Sequence, residues 1–155
     1  VARADGLTHV AGCTGATSEA AVQALYGLPD HAMLDMGDFA GGLLKYLIKN
    51  PIAHITIGGG IGKITKLAQG ARDLHSGRSQ VDIAQLSDWS IAAGLPDVSD
   101  ANTALEALQR AGKGLADVVA KNAMLNMNSI LEGSGIKSDI VVVNREGAVI
   151  AQAGP

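Results

Sequence analysis

The sequence predicts an α/β domain in which helices flank a mainly parallel sheet, with an antiparallel hairpin at its carboxy-terminal end. Three observations predict this class: short β-branched runs alternate with helical periods, glycine-rich loops follow two of the predicted strands, and no repeat or linker divides the chain. The chain has 155 residues, of which 47% are hydrophobic, and that is enough for one core. We therefore predict a single α/β domain over residues 1–155.

The first third of the chain predicts a strand followed by two helices. Residues 7–11 form a short apolar run before a glycine loop, which indicates a buried strand. Thr17 or Ser18 then caps a short helix. Apolar residues at steps of three and four predict a long helix over residues 30–50, which the following proline ends.

The rest of the chain continues the alternation of strands and helices. A strand over residues 52–57 runs into a glycine-rich loop and then a helix, the order of a ligand-binding turn in α/β proteins. Met124 and Met127 are predicted to face the core rather than a partner chain. The other predicted elements are helices over 64–70, 83–92 and 115–131, a helix capped by Ser99 or Asp100 that reaches Leu108, and strands over 140–143 and 149–150.

Composition and charge exclude several classes of function. A net charge of −3 and an aromatic content of 3% predict no nucleic-acid partner. The single cysteine, Cys13, can form neither an internal disulfide nor a thiolate metal site, which is typical of a cytoplasmic protein. No apolar run reaches the roughly 18 residues that cross a bilayer, so no membrane partner is expected. The histidines have no ligand spacing, which predicts no protein-bound metal.

The glycine-rich loop at residues 58–62 fits neither common nucleotide-binding pattern. A phosphate-binding Walker loop would need glycine at Ile57 and Ser or Thr at Ile64, and the dinucleotide pattern would need glycine at Lys63 or Thr65. What remains is a backbone that a ligand can approach closely and a helix start that favours anions, or else only a tight turn. The predicted ligand-binding residues of this segment are Gly58, Gly59, Gly60, Gly62, Lys63 and Lys66.

Basic side chains are concentrated between the start of this helix and the loop that follows it. Lysines, arginines and a histidine recur over residues 63–78 in an otherwise acidic protein. A polycarboxylate ligand would suit such a group, and an ordinary solvated loop is the alternative. The predicted ligand contacts in the loop are Arg72, His75, Ser76 and Arg78.

Three segments of the chain resemble one known family in order and spacing. They are DMGDFAG at residues 35–41, GGGIGKITKLAQG at residues 58–70, and LHS at residues 74–76 followed by Asp82. The upstream TG and TSE at residues 14–15 and 17–19 look like that family too. On these motifs, most of residues 10–90 resembles the CbiD family of corrin-pathway methyltransferases.

The resemblance implies an enzyme that uses S-adenosylmethionine to methylate carbon 1 of cobalt-precorrin-5B in anaerobic cobalamin biosynthesis. The acetate and propionate arms of this tetrapyrrole substrate would bind the basic loop through charge-assisted hydrogen bonds. Methyl transfer from a sulfonium needs in-line approach of the carbon nucleophile and no side-chain nucleophile. Asp38 would stabilise the sulfonium or adjust protonation of the macrocycle, and His75 is the second candidate for a catalytic role.

Members of that family are longer than this chain and carry an amino-terminal domain. We therefore expect the carboxy-terminal portion of a two-domain enzyme, and Val1 in place of Met agrees with that expectation. Its expected partners are the tetrapyrrole and either the missing domain or a second copy of the chain. Two alternatives stay open, a non-catalytic tetrapyrrole-binding fragment and a nucleotide-binding module of another enzyme.

Overall fold

The structure, a computed structural model, describes residues 6–154, which form one five-stranded sheet and six α-helices. The strands are β1 (His9–Cys13), β2 (Met33–Leu34), β3 (His54–Gly59), β4 (Lys137–Val143) and β5 (Val149–Ala153). The helices are α1 (Ala16–Tyr26), α2 (Ala40–Lys49), α3 (Ile61–Ala68), α4 (Ile83–Ala92), α5 (Ala104–Ala111) and α6 (Lys113–Ile130). Within this part of the chain, no helix is both long and apolar enough to cross a membrane.

The strand order is β2-β1-β3-β4-β5, with β1 to β4 parallel and β5 antiparallel to β4. The predicted fold class is thereby confirmed, including the carboxy-terminal hairpin. From β1 the chain moves outward to the edge strand β2, and it then crosses back over β1 to β3. The connections from β1 and β3 therefore lead to opposite sides of the sheet, and such a switch point is where open α/β sheets bind ligands.

Each face of the sheet has its own apolar layer. The face under α1 is thin and consists of small residues around Val22, with Ala11, Cys13, Val141 and Val143. The other face carries the main core, in which α2, α3 and α6 supply most of the large side chains. Its largest fully buried members include Leu44, Ile55, Ile57, Ile64, Leu67, Leu115, Met127 and Ile140.

Burial of β4 on both sides explains why its sequence reads as a continuous β-branched run. Residues 138–143 are all buried, since α1 covers one face of the strand and α6 the other. In α6, buried residues recur at steps of four at Leu115, Val119, Ala123 and Met127. Met127 lies in the core and Met124 packs against it, as predicted.

The prediction of one helix over residues 30–50 is wrong in its first half. Residues 30–32 form a single 3-10 turn, and Met33–Leu34 pair with β1 as the edge strand β2. Gly37 then adopts φ 57°, a left-handed conformation that interrupts any helix. Only residues 40–49 are helical. The other predicted elements are confirmed, with ends shifted by a few residues. Two predicted caps are wrong, because Gly15 and not Thr17 or Ser18 is the N-cap of α1, and Thr103 and not Ser99 or Asp100 is the N-cap of α5.

Candidate functional site

A cavity of about 680 Å³ lies at the carboxyl ends of the parallel strands, beside the switch point. The loop after β1, the loop after β3 and the β4–β5 turn form its walls, and α5 covers it with Leu105 and Leu108. The amide of Thr14 donates to the carbonyl of Gly58 at 3.1 Å, so β1 and β3 stay paired up to the cavity. We call this the switch-point cavity, defined by residues 14–18, 60–62 and 143–146 with Leu105, Leu108, Gln109 and Ile150.

Two helices start at the switch-point cavity. Gly15 is the N-cap of α1 and Gly60 is the N-cap of α3, and both line the cavity. The first-turn amides of a helix have no partner within the helix, and the helix dipole places partial positive charge there. The hydroxyl of Ser18 accepts from the amide of Gly15 at 3.3 Å. The cavity therefore offers an environment that favours an anionic group.

The four glycines predicted to contact a ligand divide into two kinds. A Cβ on Gly58 would lie 2.6 Å from Val22, and one on Gly59 would lie 2.8 Å from the hydroxyl of Thr14. Packing inside the protein therefore explains these two glycines, which are buried at the end of β3. A Cβ on Gly60 or Gly62 would meet nothing within 4 Å, and neither residue has a positive φ. Both line the switch-point cavity, so the open space beside them is space that a ligand can use.

The two lysines predicted to bind a ligand, Lys63 and Lys66, make contacts within the protein. Nζ of Lys63 lies 2.9 Å from Oδ1 of Asp38 and donates to the carbonyl of Leu74 at 3.1 Å. Lys66 is only 7% exposed and donates to the same carbonyl at 3.2 Å. Burial lowers the pKa of Lys66, and the charge of Lys63 acts in the same direction, while Asp38 and Asp73 oppose it. Both ammonium groups thus hold the 71–79 loop against α3.

The 71–79 loop forms a second groove, separate from the switch-point cavity. This groove measures about 540 Å³, and its lining includes Asp38, His75 and Arg78. Asp35 and Asp73 also line it, so the groove carries acidic as well as basic groups. Arg72 and Ser76 are exposed and belong to neither cavity. Lys66 lines a third, smaller space that shares Gly62 and Arg145 with the switch-point cavity.

Sequence reasoning missed the contribution of the β4–β5 turn. Asn144 accepts through its side-chain oxygen from the amides of Glu146 at 3.0 Å and Ala148 at 2.9 Å, which fixes the turn. Arg145 and Glu146 are exposed on that turn and line the cavity. The run Asn-Arg-Glu-Gly at residues 144–147 signals a turn, but nothing in it signals that the turn faces the loop after β3.

Comparison with known proteins identifies a family for this chain. Residues 73–154 match the family described as CbiD, C-terminal domain. A cobalt-precorrin-5B C(1)-methyltransferase of Brucella ovis is 52% identical over an alignment covering 98% of this chain, and the protein of that name from Brucella anthropi is 51% identical. The chain spans only 44% of the length of either relative. No solved structure matches the chain.

Proposed function

The chain belongs to the CbiD family, and from that membership we propose that it forms the carboxy-terminal part of a methyltransferase acting on carbon 1 of cobalt-precorrin-5B. In the reaction the methyl–sulfur bond of S-adenosylmethionine breaks and a carbon–carbon bond to the macrocycle forms. Sulfur keeps the electron pair, which leaves S-adenosylhomocysteine. The protein has to hold two ligands in line and exclude water, and no side-chain nucleophile takes part.

We assign S-adenosylmethionine to the switch-point cavity. Its volume of about 680 Å³ lies within the range of small-molecule sites, about 300–1,000 Å³. The starts of α1 and α3 suit the carboxylate of the methionyl part. Leu105, Leu108 and Ile150 offer an apolar surface for the adenine, and Glu146 suits the ammonium or the ribose hydroxyls. The observation that carries this assignment is the open space beside Gly60 and Gly62.

The macrocycle, in this proposal, contacts the second groove and the exposed cations of the 71–79 loop. Arg72, His75 and Arg78 are exposed on one loop, and such side chains suit the acid arms of a tetrapyrrole. Asp38 and His75 line the groove together and are the candidates for adjusting protonation of the macrocycle. Because Lys63 is ion-paired with Asp38, the carboxylate of Asp38 already has a positive partner. That pairing favours His75 as the group that moves a proton.

Calorimetry with S-adenosylhomocysteine and the 155-residue chain tests the donor site. We expect saturable binding, and we expect Gly62→Ala to weaken it at least about tenfold because the new methyl group occupies ligand space. Gly42→Ala is the matched control, since Gly42 also lies in a helix with no close neighbour to a Cβ. Both substitutions should leave the fold as stable or raise its stability by up to about 1 kcal/mol. Equal affinities for the wild type and Gly62→Ala would remove the assignment.

A further inference from the structure

A group of polar side chains that the proposed function does not use lies at the amino-terminal ends of the parallel strands, opposite the switch-point cavity. His9, His54 and Asp139 lie at the amino-terminal ends of β1, β3 and β4. His9 is directly opposite His54 in the pairing of β1 with β3, and Thr56 is directly opposite Asp139 in the pairing of β3 with β4. Side chains alternate along a strand, so all four point to the face covered by α1. We call His9, His54 and Asp139 the histidine cluster.

The histidine cluster is compact enough to surround one ion. The imidazole rings of His9 and His54 stack with centroids 3.9 Å apart and an angle of 9° between their planes. Nε2 of His54 lies 3.1 Å from Oδ1 of Asp139. One ring nitrogen from each histidine and one carboxylate oxygen lie within 4.8 Å of one another. Because imidazole lone pairs lie in the ring plane, the two rings have to rotate out of this stacked arrangement for both to direct a nitrogen at one ion.

One buried atom of the cluster lacks a hydrogen bond. Nε2 of His54 is shielded from solvent, and among the described residues it has no hydrogen-bond partner, although Oδ1 of Asp139 lies close to it. The direction between the two atoms is therefore not that of a hydrogen bond. A buried polar atom without a partner is costly and rare. An ion held between the imidazole and the carboxylate would satisfy both groups.

Neighbouring hydroxyl groups fix the carboxylate of the cluster. The phenol of Tyr26 donates to Oδ2 of Asp139 at 2.5 Å, and the hydroxyl of Thr56 donates to Oδ1. These two bonds use half of the roughly four lone-pair positions of a carboxylate and leave the others for an ion. The hydroxyl of Thr56 also lies 2.7 Å from Nε2 of His9. Metal ligands in proteins are commonly oriented by such second contacts.

We propose that His9, His54 and Asp139 bind a divalent transition-metal ion of the zinc type. Two imidazole nitrogens and one carboxylate oxygen are a donor set that suits Zn²⁺. The side chain of His54 is 26% exposed as a whole, so the cluster lies close to the protein surface. The ion would join β1, β3 and β4 at their amino-terminal ends, away from the switch-point cavity. It stabilises the sheet and takes no part in methyl transfer, and the proposal does not depend on the proposed function.

Zinc titration of the metal-stripped 155-residue chain tests the proposal. We expect one equivalent of Zn²⁺ to bind in calorimetry and in competition with a chromophoric chelator, and to raise the midpoint of thermal unfolding. His54→Gln keeps a polar side chain and should weaken binding at least about tenfold, as should His9→Gln. His75→Ala is the control because His75 is an exposed histidine outside the cluster. It should bind Zn²⁺ as the wild type does.

Co²⁺ supplies a second measurement that does not depend on stability. The wild type should give the visible absorption of a four- or five-coordinate Co²⁺ ion, and His54→Gln should lose it while its circular dichroism spectrum stays unchanged. Absence of stoichiometric Zn²⁺ binding to the wild type would overturn the proposal. Binding that is equally strong in His54→Gln and His9→Gln, or that is lost in His75→Ala, would overturn it as well.

Discussion

At the scale of single residues, the glycines of the β3–α3 loop differ in what they do. Gly58 allows α1 to pack closely on the sheet, because Val22 occupies the space that a Cβ would need. Gly60 and Gly62 have no such neighbour and face the switch-point cavity. The printed sequence makes these glycines look alike, since one motif contains them all. Only the positions of α1 and the cavity distinguish them.

The substitution Gly58→Ala should therefore destabilise the fold. We expect a loss of about 1–3 kcal/mol in the free energy of unfolding, the usual cost of overpacking a filled interior. Urea unfolding followed by circular dichroism measures it. Gly62→Ala, four residues further on, should show no loss. An unchanged midpoint for Gly58→Ala would contradict the close packing of Val22 on β3.

Lys66 makes a testable contribution to stability at alkaline pH. Burial lowers its pKa in the folded state from about 10.5, so folding disfavours the charged form. Between the folded pKa and the unfolded one, the unfolded chain binds more protons, and the free energy of unfolding rises with pH. Burying the charged form of Lys66 costs stability. This cost is absent above the pKa of the unfolded state and is present in full below the pKa of the folded state.

The variant Lys66→Met should lack this rise. The carbonyl of Leu74 keeps its hydrogen bond from Lys63, so the variant should still fold. We expect the wild type to gain stability relative to Lys66→Met as pH increases toward the unfolded pKa of about 10.5 in urea titrations. Titrating groups that do not interact with Lys66 cancel in that difference. Parallel curves for the two proteins would show that Lys66 is not desolvated in the fold.

Cys13 lies in the thin apolar layer between α1 and the sheet. Its thiol is free and buried. Burial raises its pKa to about 12. At neutral pH the thiolate is therefore scarce, and the side chain serves as a small apolar residue in the thin layer of the sheet.

At the scale of elements, the ends of helices are decided by side-chain caps that the sequence leaves ambiguous. Ser99 or Asp100 was predicted to cap the helix before Leu108, but α5 begins at Ala104 and Thr103 is its cap. The hydroxyl of Thr103 accepts from the amide of Glu106 at 3.1 Å. All three residue types are good caps. Which of them caps the helix depends on where the preceding segment packs against the core, and Ala101 is the buried residue there.

The substitution Thr103→Ala should cost about 1 kcal/mol of stability, within the usual range of 0.5–2 kcal/mol for a lost N-cap. Ser99→Ala is the matched control, since Ser99 is exposed and caps no helix. It should change stability by less than about 0.5 kcal/mol. Thermal unfolding compares the two variants. If Ser99→Ala lost more stability than Thr103→Ala, Thr103 would not be the N-cap of α5.

The edge strand β2 shows the limit of prediction for short elements. Met33 and Met36 fit the helical period that continues through Leu43 and Leu47, so the sequence favours one long helix. A strand of two residues has no period of its own, and its formation depends on pairing with β1. Gly37 was the available signal that the helix is interrupted. A glycine inside a helical pattern does not show by itself that the helix is interrupted, and the pairing of β2 with β1 cannot be read from the sequence.

At the scale of the whole molecule, the chain contains the switch-point cavity and a second groove but spans less than half of its relatives' length. We expect the 155-residue chain to bind S-adenosylhomocysteine without transferring a methyl group. A chain extended to the relatives' length should incorporate radiolabelled methyl into cobalt-precorrin-5B. The comparison of both chains under identical conditions measures this. Methyl transfer by the 155-residue chain alone would show that its own residues complete the site.

The sequence by itself determined the fold class, the family and most helices, because these depend on local periodicity and on motifs of neighbouring residues. The tertiary structure alone decided the strand order, and with it which loops meet at the switch-point cavity. It also brought His9, His54 and Asp139 together from three strands, so no spacing in the sequence could reveal them. The physical reason is that strand order follows the direction of each crossover. A right-handed crossover ties that direction to the face of the sheet on which the connecting helix packs, and contacts between distant segments decide the face.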